Sequence, residues 1–468
     1  MIKKNDKVCI DITDYTDEGL GVGRVNTGEG TLALFVKDTA IGDRVEAVVT
    51  KVCKNYGYAR PVSVLTASPH RTDPGCSVAS SCGGCSLRHI SYSAQLVWKE
   101  KRVSDCMKRL GGLVPGKDYK SLPIAGMAEP VRYRNKAQHP VCRRKGRTVT
   151  GFYAGRTHTV IESEDCLIEP ESFGEILKII RDYADRNNIS VYDESTGNGL
   201  IRHILLREGM GGAELMVCII VNAAPGDRRL AVFEGLSQTL SKIPDIKTFI
   251  LSHNTARTNV IPGRKETVLF GDGCIRDRIG TKVYEISAGS FYQVNPRQTE
   301  VLYEKAAGAA RLTGEEVVWD LYCGTGTISL FLAEGAKRVY GVEIAESSVK
   351  DAVRNAALNG IENTLFYCGK AEDIVIAKPE EDGTEKNLSL PPPDVVVVDP
   401  PRKGCDGKLI ETIIRSGADR LVYVSCNPAT MARDIRLLAD GGYRLEELQP
   451  VDMFPHTTGV ECVGRLCK

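Results

Sequence analysis

Two side chains late in the sequence belong to the types that perform covalent catalysis. Cys426 stands in the motif Ser425-Cys426-Asn427-Pro428, and Glu461 follows further along the chain. A thiolate can add to an electrophilic carbon, and a carboxylate can accept the proton whose loss later releases the thiolate. We expect a nearby positive charge to lower the pKa of the Cys426 thiol. The pair predicts a cysteine nucleophile with a separate general base.

The surroundings of Cys426 distinguish it from the other cysteines of this region. It comes directly after a strand predicted at residues 420–424, and Asp399-Pro400-Pro401-Arg402 follows another at residues 394–398. The carboxyl ends of strands in an open α/β sheet meet at the edge where ligands bind. A rigid proline pair suits a pocket for a planar ring, and Arg402 can orient Asp399 or stabilise a developing negative charge. For Cys323, Cys405 and Cys462 the interpretation is an inert buried thiol.

A glycine loop joins a strand to a helix upstream of these motifs. Residues 320–327 read Asp-Leu-Tyr-Cys-Gly-Thr-Gly-Thr, and Glu343 closes the next predicted strand. Glycines allow a ligand to approach the backbone, and an acidic residue at the second strand end can bind both hydroxyls of a ribose. A simple turn is the alternative, but the order of strand, loop, helix, strand and glutamate favours a nucleotide site. The loop has neither a third spaced glycine nor a following Gly-Lys-Ser/Thr, which argues against a dinucleotide site and a phosphate-binding loop.

A second group of cysteines is suited to binding a metal. Cys76, Cys82 and Cys85 lie close together in the sequence, and Cys166 can supply a fourth thiol. Four cysteinates can bind a [4Fe–4S] cluster or a tetrahedral zinc ion, and spacing alone does not decide between them. The Cys-x2-Cys pair favours zinc on general frequency. Four sulfurs complete the coordination shell, so we expect a structural or positioning role; a group of unligated thiols is the alternative.

The elements that must position these residues change in character along the chain. Residues 1–65 combine short strands with glycines at positions 19, 21, 23, 28 and 30, read as turns, which predicts a small β-barrel. Residues 66–285 read as a mixed α/β central domain that holds the four cysteines, with a helix over residues 93–110. Residues 286–468 alternate strands and helices, with a surface loop at 378–393, which predicts a parallel, doubly wound sheet. The fold class is therefore multi-domain α/β.

Charge is unevenly distributed, although the net charge is only +1. No Asp or Glu occurs between Pro130 and Ile161. A polyanionic partner is favoured by such a segment, and a solvated basic hairpin is the alternative. The basic side chains of the segment are Arg132, Arg134, Lys136, Arg143, Arg144, Lys145, Arg147 and Arg156.

Composition and the first residues favour a cytoplasmic protein. Hydrophobic residues make up 42% and charged residues 26% of the chain, as is ordinary for globular proteins. Residues 1–6 have no apolar run behind their lysines, and no stretch approaches the ~20 apolar residues of a membrane span. We therefore expect no membrane partner. In a reducing compartment the sixteen cysteines should be thiols, metal ligands or catalysts rather than disulfides.

The combination of motifs resembles that of the RNA (uracil-C5)-methyltransferases. Five segments occur in that family's order, namely residues 291–295 (Phe-Tyr-Gln-Val-Asn), 320–326, 399–404, 425–428 and 456–463. The chain is similar to the bacterial branch that acts on 23S ribosomal RNA and carries an RNA-binding TRAM domain and an iron–sulfur cluster; residues 17–24 resemble the start of a TRAM domain. The resemblance covers almost the whole chain. It implies a TRAM/OB-like barrel, a central α/β iron–sulfur domain and a Rossmann-like class I methyltransferase domain.

The resemblance also implies a cofactor, S-adenosyl-L-methionine, and a role for each matching residue. Cys426 would add to carbon 6 of a uracil, which gives carbon 5 the carbanion character needed to accept a methyl group, and Glu461 would remove the carbon-5 proton. The target base must leave its stack to reach such a site. Some relatives carry Asn at the position of Thr327, so a cofactor contact by Thr327 is not among the implied roles. The remaining implied residues are Gln293, Tyr322, Glu343 and Asp399 at the cofactor, with Gln293 and Asp399 also near the base, and Cys76, Cys82, Cys85 and Cys166 at a [4Fe–4S] cluster.

Three other functions stay open from the sequence. The first is the same reaction on the T-loop uridine of transfer RNA, although relatives acting there generally have neither the barrel nor the cysteine group. The second is cytosine-C5 methylation, whose enzymes usually carry the nucleophile after Pro or Thr rather than after Ser425. The third is a non-catalytic RNA-binding or ribosome-assembly protein, which needs neither Cys426 nor Glu461. A radical mechanism is disfavoured, because its cluster motif is Cys-x3-Cys-x2-Cys and the first gap here is five residues.

The expected partner is 23S ribosomal RNA, with no obligate protein partner. A multi-domain RNA enzyme of this kind can work as a monomer. The sequence does not name the target uridine, and it does not say whether one or two are modified.

Overall fold

The structure is a computed structural model that describes residues 2–28, 30–209, 214–376 and 388–468. The chain forms two compact units. The first comprises Met1–Lys99, Phe152–Ser163 and Phe454–Gly459, and the second comprises Glu100–Gly151, Glu164–Met453 and Val460–Lys468. The domain boundaries predicted at residues 65 and 285 stay a prediction.

The helices and strands of the described residues are numbered in chain order. The helices are α1 (Tyr92–Cys106), α2 (Glu171–Arg186), α3 (Phe233–Leu240), α4 (Pro296–Ala310), α5 (Thr327–Leu332), α6 (Glu346–Leu358), α7 (Gly407–Ser416) and α8 (Pro428–Asp440). Short helical turns of π or 3-10 type are Met107–Gly111, Arg228–Val232 and Ala371–Asp373. The strands are β1 (Lys7–Tyr15), β2 (Gly21–Asn26), β3 (Thr31–Val36), β4 (Arg44–Val52), β5 (Tyr56–Thr66), β6 (Lys120–Ser121), β7 (Lys136–Arg144), β8 (Arg147–Tyr153), β9 (Val160–Glu162), β10 (Ile201–Gly209), β11 (Glu214–Val221), β12 (Ile246–His253), β13 (Lys265–Phe270), β14 (Cys274–Ile279), β15 (Lys282–Ser287), β16 (Val317–Leu321), β17 (Arg338–Glu343), β18 (Thr364–Cys368), β19 (Val375–Ile376), β20 (Ser389–Leu390), β21 (Val395–Val398), β22 (Arg420–Ser425), β23 (Arg444–Val451) and β24 (Glu461–Cys467).

The first unit contains a closed barrel in the strand order β1-β2-β3-β5-β4. β1 closes it by pairing antiparallel with both β2 and β4, while β3 and β5 pair in parallel. Alternate residues of each strand face the interior, as the pleat of a strand requires. This confirms the predicted small barrel. Its interior is apolar and includes Ile10, Ile12, Val25, Leu34, Val36, Val45, Ala47, Val49 and Ala59.

Two glycines that were predicted as turn residues lie inside β2 instead. A Cβ on Gly23 would lie 2.4 Å from Cγ1 of Ile10, and a Cβ on Gly21 would lie 2.1 Å from Oγ1 of Thr39. The crowded interior of a small barrel leaves no room for a side chain at either position. That part of the prediction was wrong, because glycine here serves close packing rather than turning.

The second unit contains a largely antiparallel sheet in the order β13-β12-β11-β10-β7-β8. Nearly all residues of β10 and β11 are buried, since α2 and α3 cover the sheet through an apolar core. That core includes Phe173, Ile176, Ile180, Ile204, Leu206, Val217, Ile219, Phe233 and Leu236.

The basic segment at residues 130–161 is only partly available to a ligand. Arg132 pairs with Asp165 at 2.6 Å, and Arg143 pairs with Asp185 at 2.6 Å. Burial lowers the pKa of Lys136 to about 8. The exposed basic side chains of β7 and β8 therefore concentrate at the hairpin tip, residues 143–147.

The second unit also contains an eight-stranded sheet in the order β18-β17-β16-β21-β22-β24-β23-β6. The strands from β18 to β22 run parallel, and β24 is antiparallel to both β22 and β23. β16 pairs with β17 on one side and β21 on the other, so the strand order reverses at β16. Ligands of open α/β sheets bind at the carboxyl ends beside such a reversal. The sheet confirms the predicted doubly wound domain.

Two further predictions concern a loop in the last domain and membrane-spanning segments. Most of the loop predicted at residues 378–393 lies outside the described residues. Among the helices that are described, none is long and apolar enough to cross a membrane.

Candidate active site

Cys426 directly follows β22, and Glu461 begins the neighbouring strand β24 of the eight-stranded sheet. β22 ends at Ser425, which pairs with Cys462 of the antiparallel strand β24. Cys426 and Glu461 occupy the next positions along these strands, so the register places them opposite each other. The structure thus brings together the predicted nucleophile and the predicted base.

Asp399 reaches the same edge of the sheet from the other side of β22. β21 ends at Val398, which pairs in parallel with Tyr423 of β22 and with Leu321 of β16. Chain segments that follow parallel strands leave the sheet at one common edge. Asp399 and Cys426 therefore emerge together, as predicted from the strand ends, and the glycine loop after β16 emerges at the same edge.

The Asn427 side chain ties the loop after β21 to the start of α8. Its Nδ2 donates to the Arg402 carbonyl at 3.1 Å, while its Oδ1 caps α8 by accepting from the Ala429 amide at 3.1 Å. The Thr430 hydroxyl donates to the same Arg402 carbonyl at 3.3 Å. These bonds hold the backbone of Arg402 next to the residue that follows Cys426.

The Cys426 thiol keeps its proton at neutral pH. Burial raises its pKa to about 11, and the Glu461 and Asp399 carboxylates act in the same direction, whereas Arg402 lowers it. The expected effect of a positive charge is therefore present, but burial and two carboxylates outweigh it. Cys426 also directly precedes the N-cap of α8, where the positive end of the helix dipole favours a thiolate. A proton acceptor must consequently be at hand when this thiol reacts.

Glu461 and Asp399 form a pair of carboxyls with different proton affinities. Glu461 is 4% exposed. Burial raises the pKa of Glu461 to about 8, with a further increase from Asp399 and a decrease from Arg402. Burial raises the pKa of Asp399 to about 6. At pH 7 Asp399 is the more ionised of the two, and Glu461 holds a proton in most molecules.

The glycine loop has an unusual backbone shape. Tyr322, Gly324 and Gly326 have positive φ angles of 67°, 55° and 78°. A Cβ on Gly324 would meet nothing within 4 Å, whereas a Cβ on Gly326 would lie 3.0 Å from both Ala352 and the Phe366 ring. A ligand can therefore approach the backbone at Gly324, and Gly326 is required for packing at the start of α5.

Glu343 faces this loop from the end of β17. Its Oε2 accepts from the Gly324 amide at 3.2 Å, and its Oε1 accepts from the Ala345 amide at 2.9 Å. Both bonds fix the carboxylate where it can accept hydrogen bonds from the two hydroxyls of a ribose. The loop and this acceptor fit S-adenosylmethionine, which has a ribose and no pyrophosphate.

Asp320 belongs to this edge and was not predicted as a site residue. It is fully buried at the end of β16, where Oδ2 accepts from the Ser329 hydroxyl. No described residue forms a hydrogen bond with Oδ1, and burial raises the pKa of Asp320 to about 7. A buried carboxylate oxygen without a partner suits a donor or cationic group of a ligand. The position just before the glycine loop was the sequence feature that could have identified it.

Tyr303 of α4 is a second residue that the sequence did not reveal. Its hydroxyl is 2.8 Å from Oγ1 of Thr327. Burial raises the pKa of Tyr303, and the carboxylates of Asp399, Asp320 and Glu461 act in the same direction. The tyrosine therefore lies within the electrostatic reach of the site. A tyrosine among the apolar positions of a helix reads as a core residue, so no feature of the sequence pointed to it.

Gln293 lies in the segment that leads into α4. The Asn135 side chain donates to the Gln293 carbonyl at 3.1 Å, and the Asn135 amide donates to the Val294 carbonyl at 2.8 Å. Asn295 caps α4 through its side chain. These bonds fix the backbone around Gln293, while the role of its side chain stays a prediction.

The other cysteines that the sequence singled out form two groups. Cys323, Cys405 and Cys462 are buried, and burial raises the pKa of each thiol, as expected for inert core residues.

The predicted metal ligands Cys76, Cys82 and Cys85 belong to the first unit, and Cys166 belongs to the second. In the described part of the chain, no group of three or more His, Cys, Asp or Glu side chains is arranged to hold a metal ion. The sulfur of Cys82 accepts from the Gly84 amide at 3.4 Å. A metal centre at these cysteines therefore stays a prediction.

Two known families match the sequence. The family described as tRNA (Uracil-5-)-methyltransferase matches residues 260–468, and the TRAM domain matches residues 3–62. The resemblance seen in the motifs is thereby confirmed for both parts of the chain.

Relatives match over nearly the full length. An uncharacterized RNA methyltransferase of Bacillus cereus is 45% identical and covers 99% of this chain and 98% of its own. A protein of the same description from Halalkalibacterium halodurans is also 45% identical, with the same coverage of 99% and 98%.

A solved structure shares the fold. The tRNA (uracil-54, C5)-methyltransferase of Pyrococcus abyssi, in complex with S-adenosyl-L-homocysteine, superposes with a TM-score of 0.73 at 24% identity. The match covers 98% of this chain and 100% of the archaeal one. At this identity the likeness shows the fold, a multi-domain α/β architecture with a Rossmann-like methyltransferase sheet.

Proposed function

Since this chain belongs to the family of S-adenosylmethionine-dependent RNA (uracil-5-)-methyltransferases that carry a TRAM domain, we propose that it methylates carbon 5 of a uridine in 23S ribosomal RNA. The observation that carries the chemistry is the position of Cys426, directly after β22, opposite Glu461 at the start of β24. Ribosomal RNA is supported by the barrel together with the four cysteines, because the sequence resembles the branch that has both.

Cys426 is the nucleophile of the proposed reaction. Its sulfur adds to carbon 6 of the uracil, and the electrons of the ring double bond move toward carbon 5 and the neighbouring carbonyl. Asp399, with a pKa of about 6, accepts the thiol proton, because it is the more ionised carboxyl at neutral pH. Arg402 offsets the negative charge that develops on the ring.

The pocket beside the glycine loop holds the methyl donor. Glu343 would bind the ribose hydroxyls, Tyr322 would line the pocket, and Asp320 would accept a hydrogen bond through its unpartnered oxygen. S-adenosylmethionine supplies an electrophilic methyl group at this position when it is bound. Gln293 and Asp399 orient the base so that carbon 5 faces that methyl group.

Glu461 completes the proposed reaction. When carbon 5 takes the methyl group, the bond from that methyl to the donor sulfur breaks and S-adenosylhomocysteine is the leaving group. Carbon 5 then still carries a hydrogen that must leave as a proton. The ionised Glu461 accepts it, the ring double bond re-forms, and the bond between carbon 6 and the sulfur breaks to release Cys426. A pKa of about 8 makes Glu461 a stronger base than an exposed carboxylate, and its burial keeps competing water away.

The reaction and the substrate class can be tested together. Methyl transfer is measured from labelled S-adenosylmethionine to unmodified 23S rRNA and tRNA transcripts in parallel, and the nucleosides are then separated. We expect label in 5-methyluridine from ribosomal RNA. Cys426→Ala should abolish transfer while S-adenosylhomocysteine still binds, and Cys467→Ala, at the far end of β24, should remain active. Transfer by Cys426→Ala would overturn the mechanism.

The role of Glu461 has its own test. Glu461→Gln should permit methylation but not proton removal, so the covalent adduct between protein and RNA should accumulate on a denaturing gel. Glu304→Gln, at an exposed position of α4, is the matched control and should release product normally. An absence of adduct with Glu461→Gln would assign the base to another residue.

The same chemistry on transfer RNA is the second candidate. The description of the matching family and the substrate named for the archaeal structure favour it. Label in 5-methyluridine from tRNA alone would retain the mechanism and replace the substrate. Label in 5-methylcytidine would establish a cytosine enzyme, and RNA binding without transfer would favour an assembly protein.

We further propose that Cys76, Cys82, Cys85 and Cys166 bind a [4Fe–4S] cluster, with zinc as the alternative. The support is the sequence resemblance, the thiolate-rich donor set and the amide that donates to the Cys82 sulfur. Protein purified without oxygen should contain iron and sulfide and absorb broadly in the visible range, and Cys82→Ser should lose both. Zinc without iron in the wild-type protein would overturn the cluster assignment.

A further inference from the structure

Three aromatic rings lie together on the outer face of the barrel. Phe35 and Tyr56 stack with ring centroids 5.2 Å apart and planes 25° apart. Tyr58 meets both rings edge-on, at 5.6 Å from Phe35 and 5.8 Å from Tyr56. Tyr56 is 38% exposed. The rings are outside the barrel because residues 34, 57 and 59 take the inward positions of β3 and β5.

This group, hereafter the aromatic face (Phe35, Tyr56 and Tyr58), is surrounded by positive charge. Lys51 of β4 lies opposite Tyr58 of β5 in the strand register. Arg24 of β2 lies opposite Ala33 of β3, and Ala33 in turn lies opposite Tyr56 of β5. Exposed basic residues border it, and none of them forms an ion pair with another described residue. They are Arg24, Lys51, Lys54 and Arg60.

A further guanidinium reaches the aromatic face from outside the barrel strands. Arg156 lies 5.8 Å from the centre of the Tyr58 ring, a cation–π distance, and also pairs with Glu18. No acidic residue occurs in residues 47–61, which include the aromatic residues of β5. The balance of charge around the face is therefore positive, even though Glu18 offsets Arg156.

We infer that the aromatic face binds an unpaired stretch of RNA by stacking bases on Tyr56 and its neighbouring rings. Every base has a flat face that can stack on an aromatic ring, while the phosphates are attracted by the surrounding lysines and arginines. A protein that covered this face would have to supply an acidic partner for each of the four basic side chains. The RNA backbone supplies such partners at regular intervals, because it carries one negative charge per nucleotide. The inference rests on the proposed function for the choice of RNA as the polymer. It adds a second binding site, which recognises unpaired nucleotides whatever their sequence.

The test uses the full chain and an RNA that the catalytic site does not select. A fluorescent oligoadenylate of about 12 nucleotides contains no uracil, so its binding does not depend on the catalytic pocket. Tyr56→Leu keeps apolar bulk but removes the ring, and it should raise the dissociation constant about fivefold or more. Tyr56→Phe should bind like wild type. Val64→Ala, exposed on the same strand, is the matched control and should also bind like wild type.

Two further measurements separate stacking from charge and from misfolding. Lys51→Ala should reduce the slope of log affinity against log salt by about 0.7, because it removes one phosphate contact. Tyr56→Leu should leave binding of a base-paired RNA hairpin unchanged, since paired bases offer no free face. With the ribosomal substrate, Tyr56→Leu should raise KM and leave the rate at saturating RNA unaltered.

Three outcomes would overturn the inference. The first is that the wild-type protein does not bind oligoadenylate, and the second is that Tyr56→Leu binds it as tightly as wild type. The third is that Tyr56→Leu loses affinity equally for single-stranded and for base-paired RNA. Absence of methyl transfer to every RNA tested, with ring-dependent oligoadenylate binding retained, would contradict the proposed function but support the aromatic face.

Discussion

Replacing Glu461 by Gln should stabilise the protein at alkaline pH. The Glu461 carboxyl is buried, and its pKa is about 8 instead of the ordinary 4.5. Between these two values the folded state holds a proton that the unfolded state has released, so the free energy of unfolding of the wild type falls as the pH rises. A neutral amide of the same size has no proton to release.

The magnitude follows from the width of this window. Each pH unit between the two pKa values costs the folded wild-type protein about 1.4 kcal/mol. By pH 9 the accumulated cost is about 3–6 kcal/mol, and it should be absent near pH 4. Any loss from an imperfect hydrogen bond of the new amide is independent of pH, so the pH-dependent part reports on the carboxyl alone.

Urea unfolding between pH 4 and 9 measures this difference. Trp319 is fully buried in the core of the eight-stranded sheet, so its fluorescence reports on the unit that holds Glu461. The advantage of Glu461→Gln over wild type should grow from about pH 4.5 to 8 and then remain constant. Glu304→Gln, exposed on α4, should show no comparable trend. Parallel curves for wild type and Glu461→Gln would refute a buried carboxyl with a raised pKa.

Three further predictions concern the site. The single-turnover rate at which methylated RNA is released from the protein should rise between pH 6 and 8, because the Cys426 thiolate and the ionised Glu461 both become more abundant as the pH approaches their pKa values of about 11 and 8; a flat profile would contradict these assignments. Gly326→Ala should weaken S-adenosylhomocysteine binding by about tenfold or more in calorimetry, because the left-handed backbone and the 3.0 Å approach of Ala352 leave no room for the methyl group, whereas Gly308→Ala in α4, which has open space, should not. Asn427→Ala should cost about 1 kcal/mol in thermal unfolding through the lost helix cap, and it should lower the rate of methyl transfer without weakening cofactor binding; unchanged turnover would show that the bond to the Arg402 carbonyl is not needed to position the site.

Local patterns predicted the strands and the loops that follow them with good accuracy. β16 and β4 begin and end at the residues expected, because each is an apolar or alternating run bounded by polar and glycine residues. Strand ends in a doubly wound sheet share one edge, so the convergence of Asp399 and Cys426 also followed from sequence. Gly21 and Gly23 were misjudged, because the neighbours that exclude a side chain come from β1 and the loop after β3, which sequence spacing does not reveal.

The sequence by itself determined which chemical groups this protein can use: a thiol and a carboxyl at strand ends, a glycine loop followed by an acidic residue, and the family to which the motifs belong. The tertiary structure decided how those groups behave. The opposition of Cys426 and Glu461 comes from the antiparallel register of β24. Burial and the Asp399 carboxylate raise the pKa of both groups, and Glu461 raises that of Cys426 further. Tyr303 joins the site only because α4 packs against that edge. Register, burial and electrostatic coupling depend on distances between residues far apart in the chain, and only the folded protein sets those distances.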